Sequence, residues 1–231
     1  MTVVITGASQ GIGRAVALAY AASGTRLALL ARNEANLQNV ADECTRLGAE
    51  AEVVVCDVTD EAQVASAAAR VHDAFGPADV LVNNAGVFAP GSFLEITPEA
   101  FRRQVEVNLT SAFLVTRAFL PAMLARGAGD VVFMASVASV RGYPGGAAYG
   151  AAKHGLLGLA RTLRAETREQ GLRVIAVMPG ATLTPSWDGV DLPPDRLMPP
   201  EAIASAVVGA TSLPRTAVVE ELLIRPQLGD L

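Results

Sequence analysis

Lysine is all but missing from this chain: of its 18 Lys and Arg residues a single one, Lys153, is a lysine. Cysteine is nearly as scarce, with only Cys44 and Cys56. They fall in a helix-like and a strand-like stretch without ligand spacing. That argues against a metal site or a disulfide framework, and for buried thiols in a reducing cytoplasm. The arginines are scattered and the net charge is −5, so neither a nucleic acid nor an anionic membrane is an expected partner. No apolar run reaches the ~18 residues of a membrane span. The chain starts directly on a strand-like stretch, Thr2-Val3-Val4-Ile5, which leaves no room for a signal peptide. Charged residues make up only 18% against 51% apolar ones, which excludes a disordered chain.

What is present is a long alternation. Short aliphatic runs at 2–6, 26–31, 51–56, 79–83, 130–135, 172–178 and 218–224 read as strands. Most are apolar almost throughout, as strands covered on both faces must be. Helical patterns lie between them at 12–23, 34–48, 60–75, 98–126, 146–170 and 200–212; Thr97-Pro98-Glu99 supplies a cap, a first-turn proline and an acid at one start. A length of 231 residues suits one domain, 1–231, with a full α/β core. Strand–helix alternation of this kind predicts a doubly wound parallel sheet of about seven strands in a three-layer α/β/α sandwich. The proline-rich stretch 182–200 reads as a loop over the functional site.

The first strand runs into Thr6-Gly7-Ala8-Ser9-Gln10-Gly11-Ile12-Gly13. Glycines at 7, 11 and 13 permit a tight turn and let backbone approach a pyrophosphate at a helix N-terminus, although the spacing is not G-x-G-x-x-G. The second strand ends Ala31-Arg32-Asn33 with no acid at its tip. A carboxylate there would hydrogen-bond the adenosine ribose of NAD; a guanidinium donates to a 2′-phosphate in bidentate fashion, so Arg32 favours NADP(H). Asp57-Val58 closes the third strand, where a short acid can accept from an adenine amino group. Asn83-Asn84-Ala85-Gly86 closes the fourth. Both lie at the carboxyl edge where open α/β sheets bind ligands.

Tyr149 and Lys153 stand four residues apart and share one face of the predicted helix. A phenol titrates near pH 10 and exchanges protons sluggishly at neutral pH. A nearby ammonium favours the phenolate, and lowering the phenol by ~3 units takes roughly 4 kcal/mol. Only three of the 231 positions lie four residues after one of the three tyrosines, so chance rarely places the lone lysine there. A Tyr so tuned gives a proton to a carbonyl oxygen or takes one from an alcohol.

Together these segments resemble the short-chain dehydrogenases/reductases: Thr6–Gly13, Asp57-Val58, Asn83–Gly86, Asn108, Ser136, Tyr149-x-x-x-Lys153 and Pro179-Gly180 occur in that family's order over about the first 185 residues. The resemblance implies a Rossmann-type domain that transfers a hydride between NADP(H) and a small alcohol or carbonyl compound, working as a homodimer or homotetramer. It implies Tyr149 as general acid/base, Ser136 holding the substrate oxygen, Lys153 on the nicotinamide ribose, and Asn108 holding a water that links Lys153 to solvent. Gly7, Ser9, Gln10, Gly11, Ile12, Gly13, Arg32, Asp57, Val58, Asn83, Ala85 and Gly86 would then hold the adenosine and pyrophosphate. Tyr149, Lys153, Pro179, Gly180, Thr182 and Thr184 would hold the nicotinamide side. By itself Asn108 also reads as a helix-kink asparagine bonded to backbone. Tyr143, Trp187 and Met178 are candidates for the substrate wall, with Trp187 as a lid; His154 points away and reads as structural. The C-terminal Val218–Gln227 is more like relatives that oxidise 3-hydroxy acids or serine than like fatty-acid-type reductases. Two other readings remain open: a non-catalytic NADP-sensing module, which would not need the full Asn–Ser–Tyr–Lys set, and a sugar-nucleotide epimerase or dehydratase, which would want a longer C-terminal region.

Overall fold

Alternate residues of each central strand are drawn into different apolar layers, which is why the strand runs are apolar throughout. Val3 and Ile5 join one core and Val4 the other; Leu27 and Leu29 join one, Ala28 and Leu30 the other. Each of these leucines is fully buried, contributing roughly 1.5–3 kcal/mol. The computed structural model describes residues 1–187, 189–190, 193 and 196–229. Its strands are β1 (Thr2–Thr6), β2 (Arg26–Ala31), β3 (Glu50–Val55), β4 (Val80–Asn83), β5 (Gly129–Met134), β6 (Leu172–Pro179) and β7 (Glu221–Ile224). They form one sheet in the order β3-β2-β1-β4-β5-β6-β7, every pair parallel.

Helices α1 (Gly11–Tyr20) and α2 (Glu34–Arg46) supply Val16, Leu37 and their neighbours to one layer. On the other face lie α3 (Glu61–Phe75), with Val71, and α5 (Ser111–Arg126), with Phe119; α4 (Pro98–Val105) leads into α5. The same face takes Leu156 from α6 (Ala147–Thr167), while α7 (Pro200–Thr211) returns to the first layer through Ile203. The fold is therefore the doubly wound α/β/α sheet that the alternation predicts.

Some boundaries differ from the sequence reading. The predicted helix 98–126 is interrupted by a π turn at Glu106–Thr110, where the Ser111 N–H bonds Glu106 O and the Ser111 hydroxyl donates to Val107 O at 2.6 Å. Pro98–Arg126 is long and apolar enough to cross a membrane by length and composition. Here α5 packs against α3 and β4, and α4 packs against α6, with Gln104 and Asn108 buried. The helix expected over 12–23 stops at Tyr20, where Ala21 is extended. The last strand starts at Glu221 rather than 218, because its ladder to β6 begins at Ala176. Within the 182–200 loop, residues 188, 191, 192, 194 and 195 lie outside the described residues, as do 230 and 231 of the expected domain.

Two edges of the sheet carry different chemistry. β1 lies between β2 and β4, so successive connections leave it in opposite directions, and the carboxyl edge there is the usual ligand crevice. At the amino edge, buried Arg173 and Asp130 form a two-pronged ion pair, 2.7 Å on each arm. Arg173 also donates to Thr211, Leu213 and Ala217 carbonyls, fastening the connection from α7 to β7.

Candidate active site

At the carboxyl edge, Gly7 (φ 64) and Gly11 (φ 55) adopt left-handed backbone that a side chain would strain. The turn is clamped to the end of β4: Thr6 Oγ1 accepts from Asn84 N and Ala85 N, both at 3.0 Å, and Asn84 Nδ2 donates to Thr6 O at 2.9 Å. Side chains of Asn33, Asp60 and Thr97 cap α2, α3 and α4, whereas Gln10 places no side-chain cap on α1. The first-turn N–H groups of α1 thus have no side-chain cap, an arrangement that suits an anion at the helix start. Gly13 plays another part. A Cβ there would lie 2.2 Å from Gly7 O, so its bareness lets α1 pack onto the turn, and it does not line the cleft.

From this cradle a cleft of about 1010 Å³ runs to Trp187, at the upper end of the ~300–1,000 Å³ usual for ligand pockets. Gly7, Ser9, Gln10, Gly11 and Ile12 line its centre. Arg32, exposed just past β2, lines one end with Asp57 and Val58. Asp57 Oδ1 accepts from Thr59 N (3.0 Å) and Thr59 Oγ1 (2.7 Å). Those bonds, and more weakly the Arg32 and Arg103 guanidinium groups, hold the Asp57 carboxyl below its ordinary range and keep it an acceptor. Arg103 enters this end from α4, and no local pattern in the sequence pointed to it.

The other end carries the cleft's perturbed titratable groups. Ser136 follows β5 and is fixed in a capping box: its Oγ accepts from Ala138 N at 3.1 Å, and its N–H donates to Ser139 Oγ at 3.3 Å. Tyr149, in the first turn of α6, hydrogen-bonds Ser136 and meets Phe88 edge-on at 5.1 Å. One turn later Lys153 is buried, its Nζ donating to Met134 O at 2.8 Å and lying 5.5 Å from the Tyr149 ring centroid. Burial draws the Lys153 ammonium down to about 8. The sequence reading had Lys153 pulling the Tyr149 phenol down; in the structure burial dominates and pushes it up, opposed by the Ser136 hydrogen bond. An ammonium that is itself desolvated offers less charge to its neighbour than the spacing alone promised.

Asn108 sits in the π turn with its amide engaged by backbone: Oδ1 accepts from Val87 N (3.1 Å), and Nδ2 donates to Val87 O and Gln104 O (both 2.9 Å). This is the helix-kink role, and it brings the α4–α5 junction against the loop after β4. A Cβ on Gly86 would fall 2.8 Å from Asn108 Oδ1 and 3.6 Å from Lys153 Nζ, so this glycine permits the close approach.

Ala85, Gly86, Asn108, Ser136, Tyr149, Lys153, Pro179, Gly180, Thr182 and Thr184 all line the same cleft. Asn83 does not. Strand alternation turns it away from the cleft, where its Nδ2 donates to Thr116 Oγ1 at 2.9 Å; the next residue, Asn84, lines it instead. Tyr143 and Trp187 line the cleft, whereas Met178 is buried in the core. His154, off the cleft, bonds Gly150 O at 2.8 Å. Arg141 and Arg225 also line the cleft, although nothing in the sequence sets them apart from other arginines. The glycine cradle, uncapped α1 and flanking cations fit a phosphate-bearing dinucleotide.

A family model described as short chain dehydrogenase matches residues 1–192. A sepiapterin reductase from Chlorobaculum tepidum is 36% identical, over 99% of this chain and 97% of its own. Among solved structures, an alcohol dehydrogenase from the archaeon Thermococcus sibiricus complexed with 5-hydroxy-NADP superposes with TM-score 0.89 at 32% identity, covering 98% of this chain and 96% of that one. A metagenomic short-chain oxidoreductase in complex with NADP gives TM-score 0.87 at 35% identity, over 98% and 97% of the two chains.

Proposed function

The chain belongs to the short-chain dehydrogenase/reductase family, and from that membership we propose that it is an NADP(H)-dependent enzyme interconverting an alcohol and a carbonyl, with Tyr149 as general acid/base. One observation carries the reading: Ser136, Tyr149 and Lys153 stand at one end of the cleft whose middle is the glycine cradle. Gly7, Ser9, Gln10, Gly11 and Ile12 would hold the pyrophosphate, Arg32 the 2′-phosphate, and Pro179, Gly180, Thr182 and Thr184 the nicotinamide side. The bound cofactor supplies or accepts the hydride.

The chain's own residues manage the proton. Burial keeps the Tyr149 phenol protonated at neutral pH, ready to donate from Oη to a carbonyl oxygen. Ser136, bonded to that phenol and fixed by its capping box, orients the same oxygen and stabilises charge developing on it. A charged Lys153 beside the ring favours the phenolate left behind, easing proton return in the oxidative direction. Assembly of copies into a homodimer or homotetramer is part of the same reading, and family membership supports it. The NADP-bound neighbours support the cofactor choice.

Tyr149→Phe is expected to lower turnover roughly 100-fold or more, in line with general acid–base catalysis, while NADPH fluorescence titration changes little. Retained turnover on a panel of ketones, aldehydes and 3-hydroxy acids followed at 340 nm would overturn the assignment.

A further inference from the structure

The adenosine end of the cleft holds more positive charge than the strand-tip arginine alone provides. Arg103, on α4, lines the same cleft as Arg32, Asn33, Asn36, Asp57 and Thr59, and it lies near enough to the Asp57 carboxylate to act on it, as Arg32 does. Its neighbour Arg102 leans back to Glu99 at 3.4 Å, but Arg103 has no carboxylate within ion-pair distance among the described residues. The segment bearing it is held firmly. Gln104 Nε2 donates to Ala89 O at 2.7 Å and Asn108 Nδ2 donates to Gln104 O at 2.9 Å, so the π turn fixes where α4 points. Two guanidinium groups and one carboxylate leave this end with a net charge of +1 among its lining side chains, and Asp57 already takes two hydrogen bonds from Thr59. Asp60, the next acid, is occupied capping α3 at Ala62 N and Gln63 N. An exposed pair of like charges converging on one pocket is unfavourable until an anion of about two charges sits between them.

We infer that Arg103 is a second phosphate-reading cation, which closes on the 2′-phosphate of NADP(H) from the α4 side while Arg32 grips it from the β2 side. This rests on the NADP(H) reading above. The planar fork of each guanidinium matches a phosphate monoester, and two forks on separate elements enclose it as one cannot. Both cations also act on Asp57, which places them around the same point. The assignment makes Arg103 a cofactor-specificity residue.

The experiment measures NADPH and NADH affinity by fluorescence titration, and 2′,5′-ADP and 5′-ADP by thermal shift, in the wild type, Arg103→Gln, Arg103→Lys, Arg32→Gln and, as a helix control, Arg102→Gln. Arg103→Gln is expected to weaken NADPH and 2′,5′-ADP about tenfold, leave NADH and 5′-ADP within twofold, and flatten the salt dependence of NADPH binding. Arg103→Lys should recover part of the loss, and Arg102→Gln should behave as wild type. Equal loss for both cofactors would mean a contact with the adenine ring and overturn the inference; no loss for either would overturn it too. If Arg32→Gln discriminates and Arg103→Gln does not, this inference fails alone. If neither does, the NADP(H) reading falls with it.

Discussion

Lys153 carries the chain's rarest cation into one of its most buried positions. Burial disfavours the charged form, drawing the ammonium from its ordinary 10.5 to about 8. Between those values the unfolded chain keeps a proton that the folded chain has released, so stability rises with pH across the window; below pH 8 the penalty is present in full. The gap corresponds to about 3 kcal/mol. In urea unfolding, the stability difference between wild type and Lys153→Met should therefore move in the wild type's favour by about that much from pH 8 to 10.5. A difference flat across that range would refute the lowering of the Lys153 ammonium by burial. At this scale the sequence was informative about Lys153, because rarity and spacing both single it out. It was not informative about the Tyr149 phenol, whose upward shift comes from neighbours such as Phe88 that are distant along the chain.

Among the elements, α1 shows most clearly how the glycines divide the work. Gly7 and Gly11 supply backbone conformations, and Gly13 supplies clearance. A methyl group at 13 would meet Gly7 O at 2.2 Å and Gly7 C at 2.8 Å, with rigid backbone on both sides, so the start of α1 must swing away from the turn. Gly13→Ala is expected to cost about 1–3 kcal/mol and weaken NADPH binding at least tenfold. Gly209→Ala, in α7 with nothing within 4 Å, should leave both unchanged or raise stability by about 0.5–1 kcal/mol. Thermal unfolding and NADPH titration of the two variants test the contrast, and matching behaviour would sink it. The glycine spacing was legible from residues 7 to 13 because a tight strand–helix turn is local. The exchange of Asn83 for Asn84 was not, since a run of adjacent polar residues at a strand end does not say which one the pleat turns toward the cleft.

For the whole molecule, the two edges of the sheet separate the cleft from the ion-pair network. The cleft occupies the carboxyl edge, while Arg173, Asp130 and Arg215 tie the amino edge to the α7–β7 connection. Arg173→Met would leave Asp130 dependent on the half-exposed Arg215 and strip four carbonyls of their donor. A loss of roughly 3 kcal/mol, or about 10 °C in Tm for a chain of this size, is expected. NADPH affinity should stay within twofold of wild type. An unchanged Tm, or a cofactor defect at constant Tm, would show that the two edges are not independent in this way.

The order and type of the elements, the parallel sheet and the neighbourhood of the cradle were determined by the sequence itself, because apolar runs, glycine positions and the Tyr149–Lys153 spacing act over a few residues. The π turn in the long helix, the partners of Asn108, the later start of β7 and the arrival of Arg103 beside Asp57 were decided only by the tertiary structure. Each depends on where a distant segment packs, and an arginine among seventeen shows in the sequence neither which cation it neighbours nor which anion it faces.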